Sequence, residues 1–66
     1  MTKTRILLAD DHVLLREGLA GIINSQPDLE VIGEAADGLE AIVMANELKP
    51  DLVLMDIQMP GWAGIE

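Results

Sequence analysis

The sequence has no cysteine, phenylalanine or tyrosine, and Trp62 is its one large aromatic residue. Without cysteine, disulfides and thiolate metal sites are excluded. Without other aromatics, any core must be built from Leu, Ile, Val, Met and Ala, which supply most of the 50% apolar content. Basic residues are also scarce: four Lys and Arg stand against twelve Asp and Glu, for a net charge of −8. Such a surface repels phosphate backbones, which argues against direct nucleic-acid binding by this segment. No apolar run approaches the roughly 20 residues needed to span a bilayer. The stretch Met1-Thr2-Lys3-Thr4-Arg5 leads into only four apolar residues, too short a run for a signal-peptide core. The default expectation is a cytoplasmic protein with no membrane segment. There is no repeat, linker or low-complexity tract. With 66 residues, the chain is one small domain or part of one, and a chain of this size buries only about 60% of its unfolded surface.

What is present is a regular alternation of short apolar runs and helical stripes. Arg5 to Ala9 is apolar without alternation, as expected of a strand buried on both faces of a parallel sheet. Asp10, Asp11 and His12 follow, with Asp11 or His12 placed to cap a helix. Leu15, Leu19, Ile22 and Ile23 recur at helical spacing and predict the buried stripe, while Arg16, Glu17 and Asn24 fall off it. Ser25-Gln26-Pro27-Asp28 ends the helix. Leu29 to Ala36 reads as a second strand, and Glu30 and Glu34 put it at a sheet edge. Asp37-Gly38 begins a second helix, with Ala41, Ile42, Ala45 and Leu48 as its stripe, widened by Leu39, Val43 and Met44. Lys49-Pro50-Asp51 stops it. Leu52 to Met55 is the third strand, and Asp56 stands at its end, before Met59-Pro60-Gly61.

The order β-α-β-α-β predicts a parallel sheet with right-handed crossovers. With the first strand central, the spatial order is 2-1-3 and one helix covers each face. The carboxyl ends of the first and third strands become neighbours at a topological switch point, the place where open α/β sheets bind ligands. That arrangement gathers Asp10, Asp11 and Asp56. Clustered carboxylates repel one another unless a cation or proton intervenes. Oxygen donors suit a hard cation such as Mg²⁺, which usually takes one or two carboxylates and keeps several waters. A carboxylate can also act as a nucleophile and become an acyl phosphate. The residues therefore suit phosphoryl transfer to Asp56, with Asp10 and Asp11 holding the metal. The competing reading is that aspartates gather at strand-to-helix junctions as caps and turn formers. His12 reads as a partly exposed helix-start residue rather than a metal ligand. Met44, Met55 and Met59 read as core or interface filling. A dinucleotide site is excluded, since no Gly-x-Gly-x-x-Gly follows the first strand.

The runs Ile6-Leu7-Leu8-Ala9-Asp10-Asp11-His12, Val31-Ile32-Gly33-Glu34-Ala35 with Asp37-Gly38, and Lys49-Pro50-Asp51-Leu52-Val53-Leu54-Met55-Asp56-Ile57-Gln58-Met59-Pro60-Gly61 resemble the receiver domain of bacterial two-component response regulators. The nearest likeness is to the LuxR/FixJ-type transcriptional subfamily. The resemblance implies a flavodoxin-like fold and a non-enzymatic signalling role, with Asp56 accepting a phosphoryl group from a sensor histidine kinase. It also implies Mg²⁺ coordination by Asp11, Asp56 and the backbone carbonyl of Gln58, with Asp10 acting largely through water.

The family has five strands, and its hydroxyl residue and lysine lie on the fourth and fifth, beyond residue 66. Residues 1–66 are thus expected to be a truncated receiver domain of three strands and two helices, without the effector DNA-binding domain. Lys49, at the opposite end of the third strand, cannot replace that lysine. Electrostatic stabilisation dominates such chemistry, so weak metal binding and little phosphorylation are expected of this chain alone. The family usually has an aliphatic residue or Met, then Asp or Asn, where Trp62 and Ala63 stand. Besides drift in a loop, this substitution suits an interface, where Trp is favoured. The outer edge of the third strand is left open, a template for association. A homodimer through this edge is expected to use Leu52, Leu54, Met59 and Trp62, with Val43 and Met44 nearby. The alternative function is accordingly an isolated or engineered half-flavodoxin-like module that self-assembles into a homodimer.

Overall fold

The computed structural model describes residues 2–55, in the order β1 (Thr4–Ala9), α1 (Val13–Asn24), β2 (Leu29–Ala35), α2 (Gly38–Leu48) and β3 (Leu52–Met55). The calls on Asp56, Gln58, Met59 and Trp62 lie outside the described residues. The three strands form one parallel sheet in the order β2-β1-β3. β1 is central, as its uninterrupted apolar run predicts: Ile6, Leu7, Leu8 and Ala9 are all at most 2% exposed.

Alternate β1 side chains serve different layers, as the two-residue strand period requires. Leu7 points to the face where Gly33, Met44 and Leu48 meet, under α2. Leu8 lines the other face together with Leu19 of α1. At the carboxyl end of the sheet, Ala9, Ala35 and Ala41 form a buried cluster filled out by Met44 and Met55. Three small side chains there, with Gly38 also buried, let α2 approach the strands closely. β2 carries a bulge. Ile6 pairs with Val31 but Leu7 pairs with Gly33, so Ile32 is the extra residue.

The helix ends follow from local chemistry. Asp37 caps α2 by accepting from the Glu40 N–H at 2.8 Å, and Glu40 reaches back to accept from the Ala36 N–H at 2.7 Å, a reciprocal arrangement akin to a capping box. At its other end, Lys49 takes a left-handed conformation, φ 50°. Arg5 then donates from Nη2 to the Leu48 carbonyl and from Nη1 to that of Lys49, at 2.7 and 2.9 Å. These bonds satisfy carbonyls that a helix end leaves without intrahelical partners. The Asp51 carboxylate accepts from the Arg5 N–H, and the Asp51 N–H donates to the Arg5 carbonyl, which ties the entry to β3 onto β1.

The stripe expected on α1 holds at Ile23, which is buried, and Leu19, which is half-buried, and is corrected at Leu15 and Ile22. Leu15 and Ile22 are 53% and 65% exposed, whereas Ala20 and Ile23 are buried. The sheet-facing side carries Arg16, Leu19, Ala20 and Ile23, with Asn24 at its end. Arg16 is half-buried, and the Asn24 side-chain oxygen accepts from the Val31 N–H at 2.9 Å. Apolar residues occupy most positions of α1, so periodicity defines a broad band without saying which part of it meets the sheet. Here the sheet-facing side is decided in part by small and hydrogen-bonding side chains that suit the twisted β1–β2 surface. Among the described residues, no helix is long and apolar enough to cross a membrane.

Candidate functional site

The site is built on the turn between β1 and α1. Asp10 follows the last residue of β1, and its backbone is held on both sides. Its N–H donates to the Ala35 carbonyl of β2 at 3.0 Å, and its carbonyl accepts from Arg16 Nη1 at 2.7 Å. Its carboxylate is turned inward, with the side chain only 7% exposed. Oδ1 accepts from the His12 N–H at 2.9 Å. That backbone hydrogen bond is the largest influence lowering the Asp10 pKa below its ordinary 3.8. Burial opposes it, and the His12 side chain and the Arg16 charge add to the lowering. The group is therefore a carboxylate at neutral pH despite its burial.

Asp11 is more exposed, its side chain at 34%. His12 Nδ1 lies 3.0 Å from Asp11 Oδ1 and 3.2 Å from Asp10 Oδ1. His12 is the N-cap residue of α1, as the sequence suggests, but its side chain makes no capping bond. Asp10, Asp11 and His12 each offer a ligand atom, all within 4.8 Å of one another. Two carboxylates from adjacent residues, one inward and one near solvent, are a donor set that fits a hard cation keeping part of its water. The imidazole extends the cluster beyond the oxygen donors that the sequence reading selected.

β3 brings its own end alongside. Ala9 pairs with Met55, so the carboxyl termini of β1 and β3 are level with each other. A cavity of about 250 Å³, lined by Leu8, Ala9, Asp10, Leu19, Leu54 and Met55, opens beside Asp10. Asp56, the next residue in sequence, and Gln58 lie outside the described residues. The structure thus brings Asp10 and Asp11 together at the carboxyl rim of the sheet. Of the expected interface residues, Leu52 and Leu54 are 45% and 39% exposed on β3, while Met59 and Trp62 fall outside.

Arg16, which the sequence reading set aside, contacts the site. Besides the Asp10 carbonyl, it donates from Nε to Glu34 Oε1 at 3.1 Å, and its side chain is only 15% exposed. No sequence signal marked it, because the acceptor is a backbone carbonyl and Arg16 falls off the apolar stripe.

A family model described as the response regulator receiver domain matches residues 6–66. The transcriptional regulatory protein LiaR of Bacillus subtilis is 56% identical over 62 residues, which is 94% of this chain and 29% of that protein. A protein-glutamate methylesterase/protein-glutamine glutaminase of Thermotoga maritima is 55% identical over 62 residues, 94% of this chain and 18% of the relative. The chain thus spans less than a third of the length of these curated relatives. Among solved structures, the response regulator domain of Thermotoga maritima CheB superposes with a TM-score of 0.86 at 52% identity, covering 89% of this chain and 44% of that one. The signal receiver domain of the putative response regulator NarL from Mycobacterium tuberculosis gives 0.89 at 38% identity, covering 92% and 49%. With its flavodoxin-like β2-β1-β3 sheet and a family match running from Ile6 to Glu66, the chain belongs to the receiver domains of two-component response regulators.

Proposed function

We propose that this segment is the phosphoacceptor part of a transcriptional response regulator, with Asp56 accepting a phosphoryl group from a sensor histidine kinase. Receiver domains are signalling modules that generally bind Mg²⁺ and interact with such kinases. The observation that carries the reading is the ionised, inward-facing Asp10 paired with Asp11 at the carboxyl end of β1, level with the end of β3. In the transfer, a carboxylate oxygen of Asp56 forms a bond to phosphorus as the bond from phosphorus to the donor histidine nitrogen breaks. Asp10, Asp11, Asp56 and the Gln58 backbone carbonyl would hold Mg²⁺, which supplies charge neutralisation at the phosphoryl oxygens. The reading carries with it a cytoplasmic location, and an output supplied elsewhere in the parent protein. LiaR is named a transcriptional regulator and the Thermotoga relative an enzyme. The resemblance to the LuxR/FixJ type, and two further relatives named transcriptional regulatory proteins at 53% identity, favour transcription.

The full-length parent, incubated with acetyl phosphate and Mg²⁺, is expected to gain one phosphoryl group by intact mass, and Asp56→Asn is expected to abolish the gain. An adduct that persists in Asp56→Asn refutes the assignment. A second reading, self-assembly through β3, is favoured by the exposure of Leu52, Val53 and Leu54 at 45%, 37% and 39%. Among the described residues β3 pairs only with β1, and an open apolar edge is a template for another strand. A monomer at micromolar concentration by size exclusion with light scattering removes that reading.

A further inference from the structure

We infer that Arg16 is a positioning residue for the cation site, its guanidinium fixing the turn that presents Asp10 and Asp11. This rests on the reading of those two carboxylates as cation ligands. Arg16 reaches back from the first turn of α1 and bonds two elements at once: the Asp10 carbonyl at 2.7 Å through Nη1 and Glu34 Oε1 at 3.1 Å through Nε. Glu34 lies on β2 in register with Leu8 of β1, so the bridge spans helix, turn and sheet. The Asp10 N–H is already held by Ala35. With Arg16 on its carbonyl, the Asp10 backbone is fixed at both ends, and the direction of its carboxylate follows.

The choice of residue has a physical reason. A planar guanidinium donates along two fixed directions, which a lysine ammonium does not. A positive charge near a cation site would ordinarily oppose the cation. Here Glu34 pairs with the Arg16 charge through Nε, leaving Nη1 to the Asp10 carbonyl, so the hydrogen bond is kept while much of the repulsion is offset. Buried groups of this kind, one bond behind the ligands, commonly alter metal affinity by about 10- to 100-fold when removed.

Arg5 provides a matched control. It also donates to two backbone carbonyls, but at the amino end of β1, away from Asp10. The test compares Arg16→Met, Arg16→Lys and Arg5→Met in two measurements. The first is hydrogen exchange of the His12 amide without metal, since that amide is held by Asp10 Oδ1 and reports the turn directly. The second is Mn²⁺ affinity at the Asp10–Asp11 pair, from paramagnetic relaxation, with Asp11→Asn marking the site. Both Arg16 variants are expected to speed His12 exchange and weaken Mn²⁺ by about tenfold, the lysine variant less than the methionine one. Arg5→Met is expected to lower stability but to leave both measurements within about twofold. The inference is overturned if Arg5→Met moves them as far as the Arg16 variants, or if Arg16→Lys, still folded, moves neither. If the unmutated chain shows no Mn²⁺ binding sensitive to Asp11→Asn, the cation assignment falls. Exchange at His12 then still decides separately whether Arg16 holds the turn.

Discussion

The same chemical change, glycine to alanine, is expected to act with opposite sign at Gly18 and Gly33. Gly18 lies inside α1, and a Cβ built there meets nothing within 4 Å. Alanine at such a position gains the difference in helix propensity, about 0.8–1 kcal/mol. Gly33 lies just after the β2 bulge, under α2. A Cβ there would stand 2.7 Å from Met44 Cε, 2.8 Å from Leu48 Cδ1 and 3.3 Å from Leu7 Cδ1. The first two atoms are side-chain ends that can withdraw, but Leu7 is completely buried and has little room to yield. Overpacking of this kind costs roughly 1–3 kcal/mol, while the chain regains about 0.5–1 kcal/mol from the lost freedom of glycine in the unfolded state. The net loss for Gly33→Ala is about 1 kcal/mol. The two variants should therefore differ by about 2 kcal/mol, and with a urea slope near 1 kcal/mol/M their midpoints should be about 2 M apart. Urea unfolding followed by far-ultraviolet circular dichroism measures this. In a Met44→Ala background the Gly33→Ala loss should shrink, because the closest contact has gone. A Gly33→Ala midpoint at or above that of the parent would refute the packing described between β2 and α2.

Asp37→Ala should lower stability by about 1 kcal/mol through loss of the α2 cap, measurable as a lower melting temperature. Lys49→Gly should raise stability by about 0.5 kcal/mol, because a left-handed φ strains a residue with a Cβ. A lower midpoint would show that the conformation carries no strain. The Asp10 carboxyl should titrate below 3.8 when followed through its carboxyl carbon by NMR. A folded-state pKa below the unfolded value means that the unfolded chain takes up the proton first as pH falls. This carboxylate's stabilisation is thus complete above about pH 4 and is lost as pH drops through its folded pKa.

The topology was legible because β1 is an unbroken apolar run and β2 is interrupted by glutamates, which orders the strands before any coordinates. The pairing of Ala9 with Met55 follows from that order, and with it the position of Asp10 and Asp11 at the carboxyl rim. What was not legible is which part of α1 meets the sheet. Leu19 and Ile23 meet the sheet as expected, yet Arg16 and Ala20 take the places given to Leu15 and Ile22, since the match between a helix and a twisted surface is a property of both partners. The start of α2 at Asp37-Gly38 was legible, while the reciprocal bond from Glu40 emerged only in the structure. The hold of Arg16 on the Asp10 carbonyl was not legible, because a backbone acceptor leaves no mark in the sequence.

The position of β1 in the sheet also bears on how the chain acquires its structure. Of the three described strands it is made first, yet both of its neighbours, β2 and β3, come later. Parallel pairing waits for the intervening helix, so the most deeply buried stretch of the described strands, Ile6 to Ala9, has no sheet partner until Leu29 and its successors have been made. Elongation at about 5–20 residues per second makes that interval a matter of seconds. The central strand of the sheet is therefore completed last in pairing, although it is the first of the three to be made.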